Sequence, residues 1–206
     1  MFPQQPQQQF SKAGADVQLF YRSSAWAKPP GVSHVYMMLI GGGGTGTGSA
    51  GGGSGAVTVW YGAAQHVPDN LVISVSTGSN IDTTVNYQGS SGLIALLTAD
   101  ASASNTAGTA MTANQFTASG FFNPIAGQNG SSATTGVSTT TFLSGGGNVG
   151  ASANYGYSNT GSGSGSFQMQ PIIVGVGSAG ANTGAIGGGG GISGAGGPGF
   201  VLIASW

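Results

Sequence analysis

A fully apolar strand that runs straight into a long glycine tract is the feature this chain has to accommodate. Val35 to Ile40 (VYMMLI) leads into Gly41 to Gly55, which reads GGGGTGTGSAGGGSG. The theme returns in reverse order near the end of the sequence. GGGGGISGAGGPG (Gly187 to Gly199) leads into FVLIASW (Phe200 to Trp206). Glycine loses more backbone freedom on ordering than any other residue, so such a tract cannot stand as a packed element alone. It is either a mobile loop or a polyglycine-type tract whose N–H and C=O groups bond to neighbouring tracts. The two apolar runs require a β-rich body, and the closing run is expected beside Val35 to Ile40.

Between these landmarks the pattern is of short strands and turns. Asp16 to Ala27 (DVQLFYRSSAWA) alternates, with Val17, Leu19 and Tyr21 on one face and Gln18, Phe20 and Arg22 on the other. It predicts one strand, ended by the breaker Lys28-Pro29-Pro30-Gly31. Val32 to Ile40 is apolar on both faces and is expected at the centre of its sheet. Ala56 to Tyr61, Leu71 to Ser76, Ile81 to Tyr87 and Leu93 to Thr98 follow as further strands, with turns at Pro68-Asp69-Asn70, Thr77 to Asn80 and Gln88 to Gly92. No apolar repeat of 3.6 residues with caps marks a helix. The expected fold is all-β, an antiparallel β-sandwich or jelly-roll with long Gly-rich loops.

Composition divides the chain into four parts. Residues 1–15 form a flexible Gln/Pro-rich arm, either extended and unpaired or docked on a neighbour in an assembly. Residues 16–100 are the sandwich core. Residues 101–166, mostly Ser, Thr, Ala, Asn and Gly, form a polar insertion of loops and short strands at one end of the body. Residues 167–206 are the Gly-rich return and the closing strand, with Pro171 confining Phe167 to Val176 to an edge or bend.

Charge excludes several function classes. Charged residues make up 3% of the chain, against roughly 25% in ordinary soluble domains. There is no Glu, and nothing after Asp100 is charged. Binding to nucleic acid needs several Lys or Arg in one footprint, and the whole chain carries three. A net charge of −1 favours association over a free monomer. There is no cysteine, hence no disulfide and no thiolate metal site. The start, MFPQQPQQQF, has neither the basic nor the apolar region of a secretory signal. The longest apolar runs are too short to span a bilayer as a helix.

Few residues could carry chemistry. Gly44-Thr45-Gly46-Thr47-Gly48 follows an apolar strand but lacks the lysine of a P-loop and a helix behind it, so no nucleotide is expected. His34, His66 and Asp69 are the candidates for a metal or an acid–base pair, without a ligand spacing to support either. The serines show no nucleophile elbow and the acids are unpaired. No enzymatic activity and no cofactor is expected. Trp26, Trp60, Tyr61, Tyr155 and Tyr157 could stack on sugars, with Trp26 and Trp60 expected to pack in the sheets instead. Tyr155 and Tyr157, in the polar insertion, are the candidate surface-contact residues. Phe2, Phe10, Phe200 and Trp206 are the candidate assembly residues.

The order SSAWAKPPGVSHVYMMLIGGGG, then GGGSGA, then GGGGGISGAGGPGFVLIASW resembles the glycine-rich domain of bacteriophage and other viral fibre, spike and structural proteins. The family's Trp-x-x-Pro-x-Gly falls on Trp26, Pro29 and Gly31, and its strand running into glycine on Val35 to Gly44. The similarity covers residues 17–62 and 187–206, while the middle of the chain departs from it. The resemblance implies a virion structural or host-contact role. The corresponding expectation is a homo-oligomer, a trimer, on a capsid or tail, with other virion proteins and a host-surface receptor or glycan as partners. Two other readings fit the composition. One is a self-assembling extracellular filament joined by arm or strand exchange. The other is an ice- or glycan-binding protein with a flat Thr/Gly surface, although the threonines follow no fixed repeat.

Overall fold

The computed structural model describes residues 14–127, 129–130 and 183–206, together with the backbone of two short strands within 167–174. The chain is all-β, built from two antiparallel sheets. The first has five strands, in the order β1 (Asp16–Phe20), β11 (Phe200–Ser205), β3 (His34–Ile40), β4 (Val57–Ala63) and β8 (Gly120–Ile125). The second has four, in the order β2 (Ser24–Ala27), β5 (Asn70–Ser74), β6 (Thr83–Gly89) and β7 (Gly92–Ala99). β9 (Phe167–Met169) and β10 (Ile172–Val174) form a separate two-stranded ladder rather than returning to either sheet.

Side-chain alternation lines up the two sheets as a sandwich. Val35, Met37 and Leu39 of β3 join Trp60 of β4 and Val201 and Ile203 of β11 on the inner face of the five-stranded sheet. They pack against Trp26, Leu71, Ile73, Val85 and Leu97 of the other sheet. Each wholly buried aliphatic side chain there contributes about 1.5–3 kcal/mol over leaving it in water. Thr58 sits in the same interior, and its hydroxyl donates to the Thr98 carbonyl at 2.6 Å, so its burial leaves no orphan donor. The opposite face of the five-stranded sheet is apolar as well. Met38, Ile40, Val57, Phe200 and Leu202 form a second buried cluster there. β3 and β11 are therefore apolar on both faces because the inner face is covered along its length and the outer face is covered at the end of Ile40 and Phe200.

The closing strand pairs with β3 over its whole length, from Phe200 opposite Ile40 to Ser205 opposite Val35. That register sets Gly199 next to Gly41 and brings the glycine tracts side by side. They are neither helix nor strand, and they are held by backbone hydrogen bonds from tract to tract. Gly44 N–H donates to the Gly53 carbonyl (2.8 Å), Gly52 N–H to Gly190 (2.7 Å) and Gly190 N–H back to Gly44 (3.0 Å). Three segments thus close a ring of hydrogen bonds. Gly43 and Gly46 tie the ring to Gly197 and Gly194, and Gly53 and Ser102 tie it to the segment after β7. Residues 41–44, 51–56 and 187–191 are buried in this bundle. A Cβ on Gly43, Gly52 or Gly196 would overlap a carbonyl of the adjoining segment. Only glycine fits such an interior, as at the axis of the collagen triple helix.

Two departures from the sequence expectation have physical causes. Asp16 to Ala27 is not one strand. It bends at residues 21–23, so β1 pairs with β11 in one sheet and β2 with β5 in the other. The bend is held by the Ser23 hydroxyl, which accepts the Val75 N–H at 3.0 Å. It lets Phe20 and Trp26 enter one core from opposite sides. The segment after Asp100, read as insertion, contributes β8 to the five-stranded sheet, from Val57 opposite Ile125 to Gly62 opposite Gly120. Pro124 is tolerated because β8 is an edge strand, with one side free of ladder bonds.

Lys28 fastens the turn between the sheets. Its ammonium donates to the carbonyls of Ala64 (3.1 Å) and Val67 (2.7 Å) and pairs with Asp69 Oδ1 (2.8 Å). Those three partners use all three of its protons. Lys28→Met is therefore expected to cost about 1–2 kcal/mol, because two carbonyls of a tight turn lose their donor. Asp69→Asn is expected to cost less than about 0.5 kcal/mol, since the Asp69 side chain is 82% exposed. Urea midpoints of the two variants check the ordering.

Candidate functional site

Among the described residues, the largest cluster of exposed rings lies on the outer face of the five-stranded sheet, at the end where β3 begins. Register builds it. On β3 the residues that share the outer face are His34, Tyr36, Met38 and Ile40. Tyr36 stands opposite Tyr61 of β4, and Tyr61 opposite Phe121 of β8. Trp206 follows β11 and is locked beside β3: its carbonyl accepts the Ser33 and His34 N–H groups (2.7 and 3.0 Å) and its own N–H donates to the His34 carbonyl (3.1 Å). Three strands that are far apart in sequence thus deliver His34, Tyr61 and Trp206 to one place.

The rings of these three residues are nearly parallel. Their centroids are 5.6 Å (His34–Tyr61), 6.1 Å (His34–Trp206) and 5.8 Å (Tyr61–Trp206) apart, with interplanar angles of 15°, 18° and 12°. In a linear stack the end pair would be about twice as far apart as the neighbours. A nearly equilateral triangle of parallel rings is instead one compact cluster, in which each ring neighbours the other two. Tyr61 is 37% exposed, Trp206 42% and the adjoining Phe121 63%.

Polar atoms edge this surface. The Ser33 hydroxyl lies 2.9 Å from His34 Nδ1 and 3.1 Å from the Trp206 carbonyl. With that hydroxyl donating to the carbonyl, its lone pair takes the His34 Nδ1–H, and Nε2 is left as an acceptor. His34 Nε2, the Tyr61 hydroxyl and Trp206 Nε1 have no hydrogen-bond partner among the described residues. Among the described residues the face holds no Lys, Arg, Asp or Glu side chain. Asp16, opposite Ser205, falls on the inner face by alternation.

Burial also raises the Tyr36 hydroxyl above its ordinary value. Desolvation disfavours the phenolate, so the folded state holds this proton more tightly than the unfolded chain, which releases it near pH 10. The stability that depends on the neutral phenol is complete below about pH 10 and is lost as pH rises through the higher folded value. Tyr21 is raised for the same reason. Tyr36→Phe is therefore expected to reduce, not abolish, the alkaline fall in urea midpoint above about pH 10.

The residues singled out from sequence are dispersed. Trp26 and Trp60 are core residues, 1% and 0% exposed. Phe200 is wholly buried in its own chain, against the Tyr21 ring at 5.3 Å, whereas Trp206 is at the surface. Tyr155, Tyr157, Phe2 and Phe10 lie outside the described residues. His34 stacks in the aromatic cluster, His66 ends a three-residue 3-10 turn, and Asp69 is committed to Lys28. No group of three or more His, Cys, Asp or Glu side chains comes together among the described residues. The Gly44 and Gly46 N–H groups, which a phosphate would need, already donate to Gly53 and Gly194. A cleft of about 600 Å³ lined by Lys28, Pro29, Pro30, Gly31 and Gln65 adjoins the Lys28 ion pair, whose ammonium has no proton to spare. Sequence reasoning placed Tyr61 among sugar-stacking candidates and Trp206 among assembly candidates, but had no signal that His34 and Phe121 would join them.

The fold and this surface together define a sparsely charged β-sandwich with a buried glycine bundle and an exposed aromatic surface. No protein-family model matches the chain, and no curated protein matches it. Among the described residues no helix is long and apolar enough to cross a membrane.

Proposed function

We propose that this chain is a virion structural protein, a capsid-surface, spike or tail-fibre component that assembles as a homo-oligomer and takes part in host contact. The observation that carries the reading is the glycine bundle. It converts a sequence nearly devoid of charge into a stiff body whose backbone groups are bonded and buried, which suits a part exposed on a particle outside the cell. The resemblance of the Trp26-to-Gly44 and Gly187-to-Trp206 stretches to viral glycine-rich domains supports the same reading. Light scattering across a dilution series tests it. A discrete trimer that persists on dilution is the expected result; a stable monomer would count against it. With so few charges at the surface, attachment is expected to change little between low and moderate salt.

A filament subunit is the second reading, and one observation favours it. β7 is an edge strand without a charge; Thr58, Met111 and Asn114 side chains take up backbone groups of Leu96 and Thr98, but Leu93 and Ile94 at its start are 53% and 45% exposed. Such an edge invites strand addition by another copy. The last strand is not free for that exchange, since β11 is bonded on both sides, to β1 and to β3. Growth into long polymers that Ile94→Lys abolishes would favour this reading over the first.

A further inference from the structure

We propose that the His34–Tyr61–Trp206 cluster, with Phe121 beside it, is a binding platform for a neutral saccharide. This deepens the host-contact part of the proposed function and rests on it. A pyranose ring offers two chemistries at once: a flat face of C–H groups and a rim of hydroxyls. The first is met by ring faces, whose π-clouds are electron-rich and take positively polarised hydrogens. Three rings within 18° of parallel and about 6 Å apart form one compact aromatic cluster, with Tyr61 and Trp206 open to solvent. The second chemistry is met at its edge. His34 Nε2 accepts, Trp206 Nε1 donates and the Tyr61 hydroxyl does either, which is the mixture that vicinal hydroxyls require.

Two further observations narrow the ligand. Among the described residues, no Lys or Arg stands on the outer face of β1, β11, β3, β4 and β8 to hold a carboxylated or sulfated sugar. The platform is also fixed before any ligand arrives. His34 and Tyr61 sit on paired strands, and Trp206 is bonded to β3 through three backbone hydrogen bonds. Little ordering is left to oppose binding, which is what a weak, shallow site needs.

The chain has three tryptophans, and Trp26 and Trp60 are buried. Acrylamide quenching of tryptophan emission therefore reads Trp206. Cellohexaose, maltohexaose and chitohexaose serve as separate probes. At least one is expected to protect Trp206 from quenching in a saturable way, half-maximal on the order of 1 mM. Saturation-transfer NMR on that sugar then compares variants: Tyr61→Leu and Trp206→Ala are each expected to weaken binding tenfold or more, and His66→Ala not at all. Phe121→Ser, at the most exposed position, carries the test if the Tyr61 variant does not fold. Quenching unchanged by all three sugars would overturn the proposal. So would protection that appears on raising the protein from about 1 to 100 μM without sugar, which would make the face a contact between copies. Light scattering reads assembly separately, so loss of the oligomer and loss of the platform are told apart.

Discussion

Gly52→Ala is expected to lower stability by about 3 kcal/mol, and Gly48→Ala, four residues away in the same tract, by almost nothing. The two substitutions add the same methyl group to the same residue type. At Gly52 the new Cβ would overlap the Gly44 carbonyl and come within 3.1 Å of the Gly190 amide nitrogen. Gly52 N–H donates to Gly190 and Gly190 N–H to Gly44, so all three segments of the ring meet at this point. The obstacle is backbone on both sides, which cannot rotate away as a side chain can. Relief requires the segments to separate, and separation breaks hydrogen bonds whose donors and acceptors are buried. Overpacking of this kind typically costs 1–3 kcal/mol, and the lost bonds put the variant at the top of that range. For a chain of this size the melting temperature should fall by roughly 6–12 °C. At Gly48 nothing lies within 4 Å of the added methyl, and the residue is exposed. Circular dichroism melts of the two variants are the measurement. Equal melting temperatures would mean that the tracts move independently and the bundle is not a unit.

The distinction between those two glycines could not be read from the sequence. GGGGTGTGSAGGGSG shows the same residue at both places. What separates them is which carbonyl lies across the gap, and that depends on segments some 140 residues further along. The strand framework was more legible. Val35 to Ile40 and Phe200 to Ser205 are apolar on both faces, and the only places for such strands are inside a covered sheet, next to each other. Asp16 to Ala27 misled for the opposite reason. Its alternation continues through Tyr21, Arg22 and Ser23 with no Gly or Pro to mark the bend, which is imposed from outside by the Val75 N–H. β8 was hidden because Gly-Phe-Phe-Asn-Pro-Ile contains three poor strand residues, Gly120, Asn123 and Pro124, each tolerated at an edge. The aromatic platform follows the same rule. Its members were visible singly, as a histidine, a tyrosine and a tryptophan with different expected roles. Their meeting is a consequence of register across β11, β3, β4 and β8, a property of pairing and not of any one stretch.

Register also explains the second large expected effect, at Gly120. Trp60 is wholly buried, and its ring packs over two glycines on the inner face: Gly62, two residues on in β4, and Gly120, opposite Gly62 on β8. A Cβ on Gly120 would overlap the Tyr61 carbonyl oxygen and come within 2.7 Å of Trp60 Cε2, and one on Gly62 would overlap the same ring. Phe116 closes the slot, its ring 4.8 Å from that of Trp60 at 27°. The segment carrying Phe116 is held in turn by a reciprocal pair, Asn114 N–H to Thr117 Oγ1 (2.8 Å) and Thr117 N–H to Asn114 Oδ1 (3.1 Å). The indole is thus confined on three sides and has no alternative rotamer to adopt. Gly120→Val is expected to cost about 3 kcal/mol or more through overpacking. Trp60→Ala should cost about 3–5 kcal/mol through the cavity it leaves. Trp60→Phe should be far milder, below about 1.5 kcal/mol. It keeps a ring in the slot and removes an indole N–H that is buried without a partner among the described residues. The discriminating experiment is the double variant Gly120→Val with Trp60→Phe. The smaller ring relieves the contact with the indole but not the one with the Tyr61 carbonyl, so the double variant should be more stable than Gly120→Val alone while staying below Trp60→Phe. Simple additivity of the two costs would show that Gly120 is required for something other than the tryptophan.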